Sequence, residues 1–179
     1  MININIRNMK NILFIVIVLF TFSFNLFSQN KNHDSICEDA IYVKTDDYEG
    51  VIFGPKCLKR LLIKDGDTID EPRWIPTMQD IENAEKLIRK YVTKKSKHPL
   101  VNQGNGCPII YQNFDKYVRQ YYGTYNQKGE KILNVNFLWR DSEIIKDWKI
   151  KGIAVFDSCS FFWDISVNMK KKKCFNFGL

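Results

Sequence analysis

The sequence predicts an α+β fold: one main helix, N-terminal within its domain, packed against a curved antiparallel sheet of four or five strands. Three observations predict it. Thr77 and Asp80 mark a helix start, and Ile81, Ala84, Leu87, Ile88, Tyr91 and Val92 then recur at helical spacing. Downstream, Tyr117 to Tyr125 and Lys131 to Leu138 alternate side-chain character with the period of two that a strand imposes. Finally, turn-forming Asn126-Gln127-Lys128-Gly129-Glu130 and Asn168-Met169-Lys170-Lys171 separate consecutive strand-like runs, as hairpins require.

Residues 1–28 have the layout of a secretory signal peptide: Arg7 and Lys10, an apolar run from Ile12 to Phe22, and small Ser28 as a cleavage position. The alternative is an uncleaved N-terminal membrane anchor, because the apolar stretch almost suffices to span a bilayer. Cleavage removes two positive charges from the chain's +7 and leaves a basic protein without a stable membrane span. A periplasmic or secreted location argues against nucleic acid as a partner. It leaves a protein or an anionic cell-envelope component. All five cysteines, Cys37, Cys57, Cys107, Cys159 and Cys174, follow the cleavage position. In an oxidising compartment one or two disulfides are expected, with a cysteine left over. Cys37 with Cys57 is the favoured pair because both fall in the same less regular stretch.

That stretch, residues 29–73, reads as an irregular lead-in with short strands at Ala40 to Val43, Val51 to Phe53 and Leu61 to Ile63, broken by Gly54-Pro55 and Asp65-Gly66-Asp67. The helix-plus-sheet domain occupies residues 74–179. Its helix spans 77–93, with Glu82, Glu85, Lys86, Arg89 and Lys90 covering the polar side. Lys97-His98-Pro99 closes it, since proline disfavours a helical residue before it. In the first long strand, Tyr117, Arg119, Tyr121 and Tyr125 share one face, and Val118, Gln120, Tyr122 and Thr124 the other, with Gly123 marking a bend or bulge. In the second, Leu133, Val135 and Phe137 form the core side. Lys149 to Phe156 is expected as a third strand and Phe161 to Val167 as a fourth. Lys172 to Phe177 is the last, an edge strand protected by its lysines.

The element order resembles the cystatin-like arrangement of a sheet wrapped over a helix. Four pieces also resemble uncharacterised small exported proteins of the Bacteroidetes: Trp74-Ile75-Pro76-Thr77 with Asp80-Ile81, Tyr117 to Gly123, Lys131 to Phe137, and Asp157 to Phe162. Members typically carry a glycine-rich turn near the last piece, where this chain has Ser158 and Cys159. The resemblance implies export and a similar fold, and it brings no catalytic residues.

Chemistry-bearing patterns are sparse. His33 and His98 belong to no zinc-type cluster, and the glycines of 102–106 lack the lysine of a phosphate loop. Cys107, His98 and Asp115 can be drawn as a triad, but no framing motif accompanies them. No catalytic residue, metal or cofactor is therefore expected. The aromatic content, 8 Tyr, 13 Phe and 4 Trp, points to recognition or packing. Tyrosine and arginine combine broad contact area with polar groups, so Tyr117, Arg119 and Tyr121 are the candidate ligand-binding residues; packing of that row across the helix is the competing expectation. The expected function is an exported, non-catalytic binding or structural domain. The alternative is a small envelope hydrolase acting on glycan or peptide, with Asp157 and Asp164 as its carboxylates.

Overall fold

The structure, a computed structural model, describes residues 37, 39–58, 63–64, 67–68, 73–104, 106–155 and 158–179. Residues 1–28, expected as a signal peptide, and His33 and Asp157 lie outside them. In chain order the elements are β1 (Ala40–Lys44), β2 (Glu49–Phe53), the short α1 (Pro55–Leu58), β3 (Ile63–Lys64), β4 (Asp67–Thr68), β5 (Arg73–Trp74), α2 (Met78–Lys94), β6 (Tyr117–Tyr125), β7 (Lys131–Trp139), β8 (Phe162–Asn168) and β9 (Lys173–Gly178). Seven strands form one sheet in the order β1-β2-β6-β7-β8-β9, with β5 also on β6; β3 and β4 pair separately.

Helix α2 starts where its cap dictates. Thr77 Oγ accepts from the Asp80 amide (3.2 Å), and Asp80 Oδ2 accepts from the Thr77 amide (3.0 Å). These bonds satisfy otherwise orphaned donors, a contribution of about 1 kcal/mol. Ile81, Ala84, Ile88 and Val92 are fully buried, at about 1.5–3 kcal/mol for each larger side chain. They lie against a core that also contains Leu133, Val135, Phe137, Trp163, Ile165 and Val167 from β7 and β8.

The sheet corrects the predicted fold. It is not a cystatin-like antiparallel sheet of four or five strands, and the main helix is not N-terminal. Strands β1, β2 and β5 precede α2, and β2 runs parallel to β6, so the sheet is mixed. The physical reason lies in Val51-Ile52-Phe53. Ile52 packs in the core beneath α2, while Val51 and Phe53 pack in a second cluster on the opposite face with Val118, Leu138, Ile145, Trp148 and Phe162. A strand buried on both faces reads as a continuous apolar run and belongs inside a sheet. β2 and β5 share one side of β6: β2 pairs with residues 118–121, and β5 with Gly123 and Thr124.

Gly123 makes that second pairing possible. A β-carbon there would meet Trp74 O at 2.4 Å and the Trp74 ring at 2.7 Å, and Trp74 Nε1 donates to Thr124 O (2.8 Å). Of the bend or bulge expected at Gly123, no bulge interrupts the pairing with β7, whose register runs unbroken through Gly123 opposite Leu133. The glycine serves close approach.

The predicted third strand is also corrected. Residues 149–155 form no strand and instead cross the second face of the sheet. Gln120 Nε2 donates to Trp148 O (2.6 Å) and Lys151 O (2.7 Å), Gln120 Oε1 accepts from the Ile153 amide (3.0 Å), and Asn136 Nδ2 donates to Ile153 O. Polar side chains on two central strands thus satisfy backbone groups that would otherwise need a ladder.

At the turn end of the sheet, Glu130 ties two hairpins together. Its carboxylate accepts from Asn126 Nδ2 (3.0 Å) and Asn168 Nδ2 (2.9 Å) and lies 3.3 Å from Lys171 Nζ. The bonds from Asn168 and Asn126, then Lys171, pull its pKa from the usual 4.5 to about 2. The folded value is below the unfolded one, so its stabilisation is complete above about pH 4.5 and disappears as the pH falls through about 2. Melting temperatures measured across that interval are expected to fall less steeply for Glu130→Gln than for the wild type. Parallel curves would remove Glu130 from the acid response.

Candidate functional site

The three residues chosen from the sequence are brought together, but inside the protein. Tyr117, Arg119 and Tyr121 are each 0% exposed on the α2 side of β6. Strand alternation placed them correctly on one face, and that face is the one the helix covers. All three side chains are buried in this fold, so none of them presents an exposed surface.

Their bonding is dense. Arg119 Nη1 donates to Tyr117 O, and Nη2 donates to Phe114 O at 2.9 Å. Nε faces Glu85 Oε1 at 3.4 Å, an ion pair without a well-aligned hydrogen bond. The guanidinium carbon stands 4.9 Å from the Phe114 ring centre and 5.1 Å from that of Phe137, where a cation is favoured by the ring faces. Tyr121 Oη donates to Glu85 Oε1 (2.8 Å), and Tyr48 meets the Tyr121 ring edge-on at 6.4 Å. Burial, and then the Glu85 charge, push the Tyr121 hydroxyl well above the usual tyrosine range; burial and Glu85 also raise Tyr48. Tyr117 Oη donates to Ser160 O (2.6 Å), and burial raises its pKa too. The Tyr117 and Tyr121 phenols therefore remain neutral donors at physiological pH.

Glu85, only 7% exposed, is the residue missing from the sequence-based site. The signal was present: Glu85 stands four positions after Ile81 and three before Ile88, within the apolar stripe. A carboxylate at that position needs a buried partner, and Arg119 supplies it.

Chemistry-bearing groups elsewhere are also placed. Cys107 is bonded to Cys159, so its sulfur is committed and the Cys107–His98–Asp115 triad has no free nucleophile. The sequence did not single out that bond, and the favoured pair, Cys37 with Cys57, is unbridged in this structure, where Cys37, Cys57 and Cys174 are free thiols. Asp164 projects from β8 towards Gly178, where desolvation of the carboxyl raises its pKa although the residue as a whole is exposed. Ser160 is buried, its hydroxyl donating to Pro108 O. Among the described residues, no group of three His, Cys, Asp or Glu is placed to hold a metal ion, and no helix is long and apolar enough to cross a membrane.

A different constellation lies at the β1 edge of the sheet. Ile41 and Tyr42 are 50% and 45% exposed. Tyr42 Oη donates to Glu49 Oε1 (2.8 Å), Arg140 Nη1 pairs with Glu49 Oε2, and Lys149 Nζ lies 3.9 Å from Glu49 Oε1. Lys149 Nζ also stands 4.2 Å from the Tyr42 ring centre and 5.4 Å from that of Trp148. Partial burial opposes the Glu49 charge, but the bonds from Arg140 and Tyr42 outweigh it and hold the carboxyl below its usual range. The result is one ionised carboxylate serving two half-exposed cations beside an exposed aromatic ring. Sequence reasoning missed this site because its members come from β1, β2 and the connection after β7. Comparison with protein-family models, curated proteins and solved structures gave no match.

Proposed function

We propose that this chain is an exported, non-catalytic domain that binds an anionic component of the cell envelope. The carrying observation is the β1-edge site, in which Arg140 and Lys149 outnumber Glu49 and Tyr42 offers an exposed ring. The excess positive charge complements an anionic partner, and the half-exposed cations let it approach without full desolvation. Export is supported by the signal-peptide layout of residues 1–28 and by the resemblance to exported Bacteroidetes proteins. The interior polar groups support a scaffolding role, because Arg119, Glu85, Tyr121 and Gln120 are engaged with one another or with backbone carbonyls.

Co-sedimentation with vesicles containing an anionic phospholipid, against purely zwitterionic ones, tests this reading. Lys149→Glu is expected to weaken anionic binding about fivefold or more at low salt, from roughly 1 kcal/mol per basic residue near such a surface. Lys86→Glu, an equal charge change on the exposed side of α2, should weaken it far less. Equal losses in both variants would reduce the binding to net charge and remove the site.

A further inference from the structure

We infer that Cys37 and Cys57 form a second disulfide in the oxidised protein, fastening the chain ahead of β1 to α1. The two side chains are buried in one apolar cluster with Val51, Phe53 and Val118, close enough for each thiol to influence the other's proton. Asp39 fixes this arrangement. Its carboxylate accepts from the Lys56 amide (3.0 Å), the Cys57 amide (3.2 Å) and Cys57 Sγ (2.7 Å). Gly54 leaves room for that approach, since a β-carbon there would meet Asp39 Oδ2 at 2.2 Å. Two residues earlier, the Cys37 amide donates to Ile150 O (3.1 Å). The Cys37 backbone is thus held on both sides of its thiol, next to α1.

Elimination leads to the same pair. Cys107 is already joined to Cys159. Cys174 lies on β9, at the opposite end of the sheet from β1 and β2, and in the core on the opposite face. Among the three free thiols, only Cys37 and Cys57 are neighbours. Nothing in a packed sheet brings Cys174 to either of them.

The oxidant is a small or protein disulfide, written R–S–S–R. Burial raises both thiols, and the bond to Asp39 further favours the thiol form of Cys57, whereas the contact with Cys57 favours the thiolate of Cys37. Cys37, as thiolate, attacks one sulfur of the oxidant, forming a mixed disulfide and releasing R–S⁻, which takes up the Cys37 proton. Cys57 then loses its proton and displaces the second R–S⁻, which takes up that proton. Two protein thiols are oxidised by two electrons, and one external disulfide becomes two R–SH.

The export reading supplies such an oxidant in the cell. With an added oxidant the chemistry can be tested apart from it. The full chain is incubated with oxidised glutathione, denatured, alkylated with iodoacetamide and digested without reduction. The expected result is a Cys37–Cys57 linked peptide beside the Cys107–Cys159 one, with Cys174 as the single alkylated thiol. In Cys57→Ser, Cys37 is expected to carry glutathione or iodoacetamide while Cys107–Cys159 persists. Any wild-type product in which Cys37 and Cys57 are not joined to each other overturns the inference, including three alkylated thiols or linkage to Cys174. A bridge formed in this assay by a chain that proves cytoplasmic would leave the inference standing and defeat only the export reading.

Discussion

Arg119→Met is expected to destabilise the protein by about 3–5 kcal/mol, because it leaves one buried charge without its partner. Glu85 is 7% exposed, and its carboxylate has Arg119 and the Tyr121 hydroxyl beside it. Removing the guanidinium also takes the donors from Tyr117 O and Phe114 O, two further polar groups left inside. A second change separates these costs. Adding Glu85→Gln keeps an acceptor for Tyr121 but removes the orphaned charge, so the double variant should recover at least about 1 kcal/mol over Arg119→Met alone. Chemical denaturation of the four proteins in the cycle measures this. An Arg119 variant as stable as the wild type would return this residue to the list of contact candidates and undo the structural role given to it here.

A comparable loss, about 3–5 kcal/mol, is expected for Trp163→Ala. Trp163 is 2% exposed and stacks on Phe137 with ring centres 3.7 Å apart and planes 5° from parallel. Tyr117 meets it edge-on at 5.8 Å, Phe177 lies at 5.5 Å and Phe114 at 6.2 Å. The ring therefore joins β6, β7, β8 and β9 with the turn ahead of β6, and no neighbour is free to fill the cavity it would leave. Trp163→Phe should lose clearly less, since a ring would still face Phe137. Denaturation midpoints with an unchanged m-value would place the effect in the native state. A loss under about 1 kcal/mol for the alanine variant would mean that this aromatic cluster is not the packed centre described.

Both effects arise where the sequence was only half legible. The α2 cap and stripe were readable because capping and helical periodicity are local. The alternation in β6 and β7 was readable for the same reason, and it put Tyr117, Arg119 and Tyr121 on one face. Alternation does not say which face is wet, and β6 is covered on both: by α2 on one side and by Trp148, Ile153 and Val155 on the other. Parallel pairing of β2 with β6 left no local mark, because it depends on a crossover that includes the whole of α2. Residues 149–155 looked like a strand because their apolar side chains do face a core. Their backbone bonds, however, go to Gln120 and Asn136, which no periodicity announces. The Cys107–Cys159 bond spans 52 positions and was equally invisible in the spacing.

The β1-edge site and the second disulfide both gain their meaning from export, so the compartment and mature start of the protein are the most direct measurement. Intact-mass analysis of fractionated cells is predicted to find a chain beginning at Gln29 in the periplasmic or secreted material. An uncleaved chain confined to the cytoplasm would contradict the account.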